Sequence, residues 1–387
     1  MKVPFFRHDL VPRDAERIAS VLEGPFLTSG HVGEAVERDL CAFFGARHAS
    51  LVNSWTNGAV ATLLALGIGL GDEVIVPAMT FVATANVVEL VGAKPVFVDV
   101  DPGTLLMTPD GVRAALNAAT RAVIPVHLYG QMVDVVAIRN QALAARSDVA
   151  IIEDCAHCFE GRLRGERPGA HSDAAIFSFY ATKNVTCGEG GAVITNRGDL
   201  HAVLLQTRLH GMSQGALRRF EQDTYRHWDV ARLGTKANLP DLLAALLPPQ
   251  IASVQDRLDA REVRARRYED ALAGTGVRSP AHEPHALHAR HLFPVYVPAV
   301  HRDRVLLGLH ARGVGATVNY RSVPSLTYYS TKYGYQPGDF PISHAWGSGT
   351  LSLPLYPSLT EDEQTYVIDT LVHLVRGEHE PVRELAS

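Results

Sequence analysis

Residues 71–101 read GDEVIVPAMTFVATANVVELVGAKPVFVDVD and contain two apolar runs, 73–77 and 94–101, on either side of a segment with helical spacing, 80–92. The two runs are continuously apolar rather than alternating, which is typical of strands that are covered on both faces of a parallel sheet. A strand–helix–strand unit of this kind connects its strands by a right-handed crossover. This stretch therefore predicts an α/β fold with an open sheet.

The alternation of apolar runs with helical segments continues on both sides of this stretch. Further strands are predicted at 121–127, 148–154, 174–179 and 191–195, and further helices at 58–69, 109–118 and 134–146. The run 191–195 follows the strand before it after only a short glycine-rich turn, which allows an antiparallel direction. We therefore expect a mostly parallel central sheet with helices on both faces.

The composition changes near residue 250. The elements predicted after it are a charged helix at 255–274, a strand at 291–298, a helix at 301–313 and a final amphipathic helix at 360–377. Glu and Arg interleave in the charged helix, which indicates an ion-paired, solvated face rather than a basic surface for nucleic acid. Thr360 and Glu363 have the spacing of a capping box. We predict a large α/β domain over residues 1–250, which includes an N-terminal arm, and a smaller α+β domain over residues 251–387.

Charge, hydropathy and cysteine content exclude several classes of protein. The chain has 387 residues, 47% of them hydrophobic, and a formal net charge of −5. A negative charge argues against general nucleic-acid binding, and no apolar run reaches the ~20 residues that span a bilayer. The N-terminal segment lacks the apolar core of a secretion signal, and the four cysteines are too few for a disulfide framework. We expect a cytoplasmic enzyme that acts neither on nucleic acid nor in a membrane.

Cys155 and Cys158 form a C-x-x-C motif. A redox or zinc site with this motif needs a thioredoxin-like context or a second pair of ligands. The sequence contains no second C-x-x-C. Small buried thiols are therefore favoured over both alternatives.

A group of reactive side chains is expected at one edge of the sheet. The strand at 148–154 ends in Asp154 with His157 close behind it, and the strand at 174–179 contains Ser178 and precedes Lys183. Ligands of open α/β sheets bind at the carboxyl ends of the strands, so these residues are candidates for one site. Lys183 is notable because an apolar run precedes it and a glycine-rich turn follows it, which leaves it few charged neighbours.

One cofactor, pyridoxal phosphate, uses all of these groups. It requires a lysine for a Schiff base and a carboxylate against its pyridine nitrogen, for which Lys183 and Asp154 are candidates. Its phosphate needs a helix N-terminus and hydroxyl groups, which the helix start at 53–58 and Ser178 supply. Phe81 follows an earlier strand and can pack an aromatic face against the ring. A desolvated lysine is also suited to move a proton, because burial lowers the pKa of an amine.

Several longer motifs give the chain a family resemblance. They are residues 71–101, EDCAH (153–157), FSFYATKNVTCGEGGAVITN (177–196), LHGM (209–212) and LSLPLYPSLTEDE (351–363). In these motifs the chain resembles the DegT/StrS-type sugar aminotransferases over nearly its whole length. The resemblance implies the type I fold of pyridoxal-phosphate enzymes and a transaminase activity.

The resemblance also implies roles for single residues around the cofactor ring. By this likeness Lys183 carries the Schiff base and Asp154 pairs with the pyridine nitrogen. His157 stands at the position near the phenolic oxygen, and Phe81 stands at the ring-stacking position.

The phosphate-binding positions of the family correspond to Thr56, Asn57 and Ser178. In GTKANLPDLLAAL (234–246), Asn238 corresponds to an asparagine that reaches the phosphate of the partner subunit. The resemblance therefore implies a homodimer with shared active sites.

Departures from the family pattern lie on the side where the sugar binds. Trp55 and Asn57 are bulkier than the usual residues of the phosphate cup, Ala237 replaces an aromatic residue, and Asn319 replaces a histidine of many members. These differences concern the substrate rather than the Schiff-base chemistry. The candidate substrate contacts are Lys236, Asn319, Tyr320 and Arg321.

The sequence thus predicts an aminotransferase that moves an amino group from glutamate or glutamine to a nucleotide-linked keto-sugar, with the ketone at C4 as the first expectation. Its product would serve amino-sugar biosynthesis for a lipopolysaccharide or an antibiotic. One alternative keeps the chemistry and uses a keto-cyclitol or an aminoshikimate-type ketone. Another is a regulator or sensor that binds pyridoxal phosphate without turnover. No metal ion is expected.

Overall fold

The fold is built on one large sheet and two short ones. The computed structural model describes residues 1–213, 227 and 229–377. The strands are β1 (His48–Val52), β2 (Glu73–Pro77), β3 (Lys94–Val98), β4 (Thr120–Val123), β5 (Ala150–Asp154), β6 (Arg162–Leu163), β7 (Ala174–Ser178), β8 (Gly191–Thr195), β9 (Ala286–Leu287), β10 (Phe293–Tyr296) and β11 (Thr350–Leu353). Seven of them form the large sheet in the order β1-β8-β7-β5-β4-β2-β3, while β10 pairs with β11 and β6 with β9.

Helices cover the large sheet and form much of the C-terminal part. They are α1 (Asp14–Leu22), α2 (His31–Phe44), α3 (Trp55–Ala65), α4 (Ala83–Leu90), α5 (Pro109–Ala115), α6 (Val135–Ala145), α7 (Gly198–Thr207), α8 (Asp241–Ala244), α9 (Pro248–Ala252), α10 (Val254–Leu272), α11 (Ala299–Ala311), α12 (Thr327–Tyr333), α13 (Pro341–Gly349) and α14 (Glu361–Arg376). None of the helices in the described ranges is long and apolar enough to cross a membrane.

The direction of the strands gives the large sheet one functional edge. β8 runs antiparallel to both of its neighbours, β1 and β7, and the remaining pairs are parallel. The carboxyl ends of the other strands therefore meet at one edge, together with the amino end of β8. The prediction of a mostly parallel α/β sheet is confirmed, and 191–195 takes the antiparallel direction that its short turn allowed.

Two strands are shorter than the predicted runs at 94–101 and 121–127. After β3, the Asp101 carboxylate accepts two backbone N–H groups and turns the chain away from the sheet. After β4, Pro125 has no N–H group to continue the ladder. In both places the apolar pattern continues past the end of the continuous strand, where isolated bridges join Val100 to Met107 and Val126 to Asp154.

The predicted helices are present with shifted ends. The helix predicted at 58–69 begins at Trp55 instead, because the Ser54 hydroxyl accepts the N–H of Asn57 and caps it. The capping box of Thr360 and Glu363 is confirmed at the start of α14.

The C-terminal part has its own hydrophobic cluster, in which α10, α11 and α14 pack against β10 and β11. Val3 of the N-terminal arm is fully buried in this cluster and pairs with Val314, although the prediction placed the arm with the large domain. The arm is therefore part of the core that the C-terminal residues build. The boundary at residue 250 stays a prediction, and residues 378–387 of the predicted small domain lie outside the described ranges.

Candidate active site

The two charged groups predicted to react lie at the carboxyl edge of the large sheet. Asp154 is the last residue of β5, and Lys183 follows β7 in a turn where its N–H donates to the carbonyl of Tyr180 at 2.9 Å. The two side chains are close enough to attract each other electrostatically. The structure thus brings together the amine and the carboxylate that the sequence singles out.

Asp154 is an acid held in a nearly dry place. It is 5% exposed, and its two oxygens accept hydrogen bonds from the Thr84 hydroxyl at 2.8 Å and the Ala156 N–H at 3.1 Å. Burial raises the pKa of Asp154, while these two donors and the Lys183 amine oppose the rise. A carboxylate in this environment can share a proton strongly with a nitrogen base placed against it.

Lys183 is an amine with reduced basicity. Burial lowers the pKa of Lys183 from 10.5 to about 8, and the Asp154 carboxylate acts against that change. A substantial fraction of the amine is therefore neutral at mildly alkaline pH. Only the neutral form can attack a carbonyl or accept a proton.

His157 is a neutral hydrogen-bond donor. Its Nδ1 accepts the backbone N–H of Tyr129 at 3.2 Å, so in the neutral ring Nε2 carries the proton. This Nε2–H donates to the Tyr320 hydroxyl at 3.0 Å. Burial and the nearby Lys183 amine hold the pKa of His157 well below its usual value, which keeps the ring neutral.

The start of α3 lies beside Ser178 at the same edge of the sheet. Gly191 pairs with Ser178 across β7 and β8, and a Cβ on Gly191 would lie 3.0 Å from the N atom of Trp55. The amides of Trp55 and Thr56 have no partner within the helix, because they belong to its first turn. This arrangement supplies N–H groups and the Ser178 hydroxyl to one anion.

Asn57 takes part in the helix start in a different way. Its N–H is engaged by Ser54, and its side-chain amide donates to Asn53 Oδ1 at 2.9 Å. The structure therefore places Asn57 in the polar rim of the helix start, with both of these donors used inside the chain.

Phe81 lies just beyond the end of β2 and is 54% exposed, which is unusual for so large an apolar side chain. Its ring centroid is 5.6 Å from that of Tyr320. The exposed ring leaves an apolar face beside the site.

The segment that follows α7 borders the helix start. The Ala237 carbonyl accepts the N–H of Asn53, and the Lys236 carbonyl accepts its side-chain amide. Asn238 is buried and donates to Thr28 and Ser29 of the same chain, and its Oδ1 has no partner among the described residues. The Lys236 side chain, in contrast, is exposed to solvent.

The three candidate substrate residues of the C-terminal part reach the site unequally. Tyr320 contacts His157 and Phe81 directly. The Asn319 carbonyl accepts the Tyr129 hydroxyl at 2.7 Å, while Arg321 is exposed to solvent. Tyr320 is thus part of the site, and Arg321 lies at its border.

Three contributors escaped the sequence analysis. Thr84 lies on the helix after β2 and donates to Asp154; its spacing of four from Thr80 was the only local signal. Tyr129 has a φ of 60°, an uncommon conformation for a bulky residue, and it binds His157 through its backbone. His291 lies just before β10 and places Nε2 at 3.5 Å from Lys183 Nζ. No sequence pattern could have connected residues so far apart in the chain.

The C-x-x-C motif consists of two free, buried thiols. Burial raises the pKa of Cys155 and of Cys158 well above the usual value, so neither is a ready thiolate. Cys155 has His127 and Glu153 nearby, but His127 accepts the Val133 N–H and pairs with Glu153. These contacts favour the prediction of structural thiols over a redox or zinc site.

The side chains at the carboxyl edge of the large sheet have the chemistry that binding of pyridoxal phosphate requires. The fit rests on a buried acid, a weakly basic amine, a neutral donor at His157, and a helix start with a nearby hydroxyl. The open face of Phe81 completes a slot for a flat ring.

Comparison with known proteins agrees with this geometry. The profile of the DegT/DnrJ/EryC1/StrS aminotransferase family matches residues 9–372. The structure is similar to Spr1654 of Streptococcus pneumoniae, assigned as a sugar aminotransferase and solved in its PMP form, with a TM-score of 0.91, 27% identity and coverage of 97% of this chain and 100% of that one. Spr1654 has also been solved in a PLP form.

Two further structures share more sequence with the chain. DesV of S. venezuelae, solved with a ketimine intermediate, has a TM-score of 0.87 and 32% identity over 97% of this chain and 98% of that one. A DegT DnrJ EryC1 StrS aminotransferase of Brucella abortus has a TM-score of 0.82 and 32% identity over 95% of this chain and 96% of that one. The predicted type I fold, cofactor and transaminase activity are confirmed: the chain belongs to the DegT/DnrJ/EryC1/StrS family of pyridoxal-phosphate-dependent aminotransferases.

Proposed function

We propose that this enzyme transfers the amino group of glutamate or glutamine to a nucleotide-linked keto-sugar, with the ketone at C4, in an amino-sugar pathway. The observation that carries the proposal is the pairing of a weakly basic Lys183 amine with the buried Asp154 carboxylate. The match to sugar aminotransferase structures supports a sugar as the acceptor. A cytoplasmic location belongs to the proposal and is supported by four unpaired thiols.

Each residue of the edge has a task in this proposal. Pyridoxal phosphate, when bound, supplies an aldehyde for amines and a ring that withdraws electrons from the neighbouring carbon. Lys183 would hold the aldehyde and move the proton, Asp154 would keep the ring nitrogen protonated, and His157 would donate its Nε2–H to the phenolic oxygen. Phe81 packs against the ring.

The phosphate and the substrate occupy the two ends of the slot. Thr56, Ser178 and the first amides of α3 hold the phosphate, with Asn57 at the rim. Tyr320 and Asn319 line the sugar side, and the exposed Lys236 and Arg321 can approach the diphosphate of the nucleotide.

A panel of acceptors tests the substrate. Nucleotide 3-keto- and 4-keto-sugars, a keto-cyclitol such as an inosose, and an aminoshikimate-type ketone are each incubated with glutamate or glutamine, and products are identified by mass. Amination of a 4-keto-sugar supports the proposal, whereas amination of the cyclitol or the shikimate-type ketone alone refutes it. Absorbance spectra with glutamate separate an enzyme from a sensor, because a sensor leaves the spectrum of the cofactor unchanged.

The proposal includes a homodimer with shared sites. Asn238 borders a groove of about 420 Å³ whose lining includes Leu205 and Leu209, apolar side chains that a second copy can cover. The donor that would serve a phosphate of that copy is the Asn238 side-chain NH₂, which donates to Thr28 and Ser29 within this chain. The support for the shared phosphate contact is the family likeness of residues 234–246.

Mixed dimers test this arrangement. Lys183→Ala and Asn238→Ala subunits are inactive or weak alone, and each mixed dimer contains one site with both native residues. Recovery of activity on mixing supports shared sites. Unchanged activity of the mixture, with subunit exchange shown by mass, contradicts them, and light scattering measures the oligomeric state directly.

A further inference from the structure

His291 is a buried imidazole that none of the roles above uses. It is 6% exposed, and its ring centroid lies 4.5 Å from that of His157. Its Nε2 lies 3.5 Å from Nζ of Lys183, and its backbone N–H donates to the carbonyl of Tyr129. The ring is thus held against the amine from the C-terminal part of the chain.

Asn184 determines which nitrogen of His291 carries the proton. Its side-chain NH₂ donates to Glu160 Oε2 at 2.8 Å and to the Ala289 carbonyl at 2.9 Å, groups that only accept. Its Oδ1 is therefore turned toward Nδ1 of His291, at 3.1 Å. Because this oxygen can only accept, Nδ1 is protonated and Nε2 carries the lone pair.

A buried ion pair keeps Asn184 in this orientation. Glu160 and Arg261 are both 2% exposed and form a salt bridge. A flipped Asn184 would point its carbonyl at the Glu160 carboxylate, which is repulsive in a dry site. A series of hydrogen bonds therefore runs from Arg261 through Glu160 and Asn184 to His291. The ion pair fixes the orientation of Asn184, and Asn184 in turn fixes the tautomer of His291.

His157 and His291, whose rings contact each other at an angle of 36°, carry their protons on opposite nitrogens. His157 presents Nε2–H, a donor, whereas His291 presents a bare Nε2, an acceptor. Burial and the Lys183 amine hold the pKa of His291 well below its usual value, so it stays neutral. The acceptor is the one that faces Lys183.

We propose that His291 is a positioning residue: its Nε2 accepts an N–H of Lys183, and this contact directs the lone pair of the amine toward the reacting carbon. The inference rests on the proposed role of Lys183 as the reacting amine. A free amine rotates about its last bond, and a fixed acceptor for one N–H restricts where the lone pair points. The separation of 3.5 Å is long, as catalytic contacts often are before substrate binds.

The same contact affects the basicity of Lys183. A neutral acceptor favours the charged ammonium, so its removal should lower the pKa of Lys183 further. The charged and titratable groups around the amine are Asp154, His157, Tyr320 and His291, with Arg7, His8, Asp9, Arg257 and Arg261 around the adjoining pocket. A substitution at position 291 leaves all the other charged and titratable groups unchanged, so a shift in the pKa of Lys183 can be attributed to His291.

The first test uses full-length protein freed of cofactor. Lys183 is modified by an amine reagent across a pH series and quantified by peptide mapping, which gives the midpoint of its titration. We expect a midpoint near 8 in the parent. In His291→Phe it should fall by about one pH unit, which means roughly tenfold more neutral amine below the midpoint. His291→Gln, whose amide oxygen can reach the Nε2 position, should restore the parent value.

The second test measures turnover of the cofactor-loaded enzyme. We expect kcat to fall roughly tenfold in His291→Phe, although more of the amine is neutral, and to recover partly in His291→Gln. His288→Phe is the matched control, because His288 belongs to the same segment and lines a different pocket. A change in packing alone would lower kcat in both His291→Phe and His288→Phe without shifting the titration midpoint of Lys183.

Nitrogen NMR of ¹⁵N-histidine protein gives a result that needs no fully stable Phe variant. The signal lost in His291→Gln identifies His291, and the parent should show Nδ1 protonated and Nε2 bare. A protonated Nε2, or a folded His291→Phe protein with the parent titration and kcat, overturns the inference. Failure of the proposed role of Lys183 is a separate outcome: Lys183→Ala would then remain active whatever the state of His291. Failure of the proposed substrate is separate again, because it appears in the acceptor panel and leaves the titration of Lys183 unchanged.

Discussion

The two sides of the active site are built from different kinds of residues. The edge of the large sheet contributes Asp154 and Lys183, charged groups that lie at or shortly after strand ends. The C-terminal part contributes His291 and Tyr320, neutral groups that reach the site from loops. In the proposed mechanism the sheet edge supplies the groups that react, and the C-terminal loops supply the groups that orient them.

Replacement of Lys183 by alanine should have the largest effect, because it removes the amine itself. We expect turnover to fall by roughly 10³-fold or more. Borohydride reduction of the loaded protein, followed by peptide mapping, should no longer attach the cofactor to this peptide. Lys94→Ala removes an exposed lysine paired with Glu73 and serves as the control that stays active. Substantial turnover without Lys183 would contradict the assignment of the reacting amine to the sheet edge.

Asp154→Asn should have the next largest effect. The amide cannot hold the ring nitrogen in its protonated form, and we expect kcat to fall by roughly 10²–10³-fold. Since Asp154 raises the pKa of Lys183, its loss should also lower the midpoint of the Lys183 titration below about 8 in cofactor-free protein. Thr84→Val removes one hydrogen bond to the carboxylate, and its kcat should lie between those of the parent and Asp154→Asn. Equal rates for parent and Asp154→Asn would show that the acid is structural.

Ser54→Ala should affect stability more than chemistry. The hydroxyl of Ser54 caps α3, and loss of such a cap costs about 1 kcal/mol of unfolding free energy. Urea denaturation measures this difference, and Ser54→Thr should retain most of the stability. A loss confined to cofactor-loaded protein would instead indicate that the hydroxyl binds the phosphate.

Tyr320→Phe should have the smallest effect on stability. It tests the single hydrogen bond that joins the C-terminal loops to His157. It removes the acceptor for His157 Nε2–H, which should cost roughly 0.5–1 kcal/mol in cofactor-free protein. In the loaded enzyme the cost should be smaller, because His157 then donates to the cofactor. Urea denaturation of both forms provides the comparison, and an equal loss in both would contradict the proposed role of His157.

Most of the fold could be predicted because the hydrophobic pattern is local. Continuous apolar runs separated by helical segments specify a parallel sheet, whatever the positions of the individual helices on it. The short turn before β8 allowed its antiparallel direction. Ends were predicted less well, since the apolar pattern continues past Val98 and Val123, where β3 and β4 end. The burial of Val3 in the C-terminal cluster could not be predicted, because a few residues at one end of the chain carry no signal of the cluster that covers them.

The sequence by itself determined the candidate edge: Asp154 and Ser178 are the last residues of β5 and β7, Lys183 lies shortly after β7, and the parallel arrangement brings these strand ends together. Only the tertiary structure decided the surroundings of Lys183. The burial that lowers its pKa, the acceptor at His291 and the opposite tautomers of the two imidazole rings arise from segments more than a hundred residues apart in the chain. Contacts of this kind depend on how the C-terminal part packs on the sheet, which no local pattern encodes.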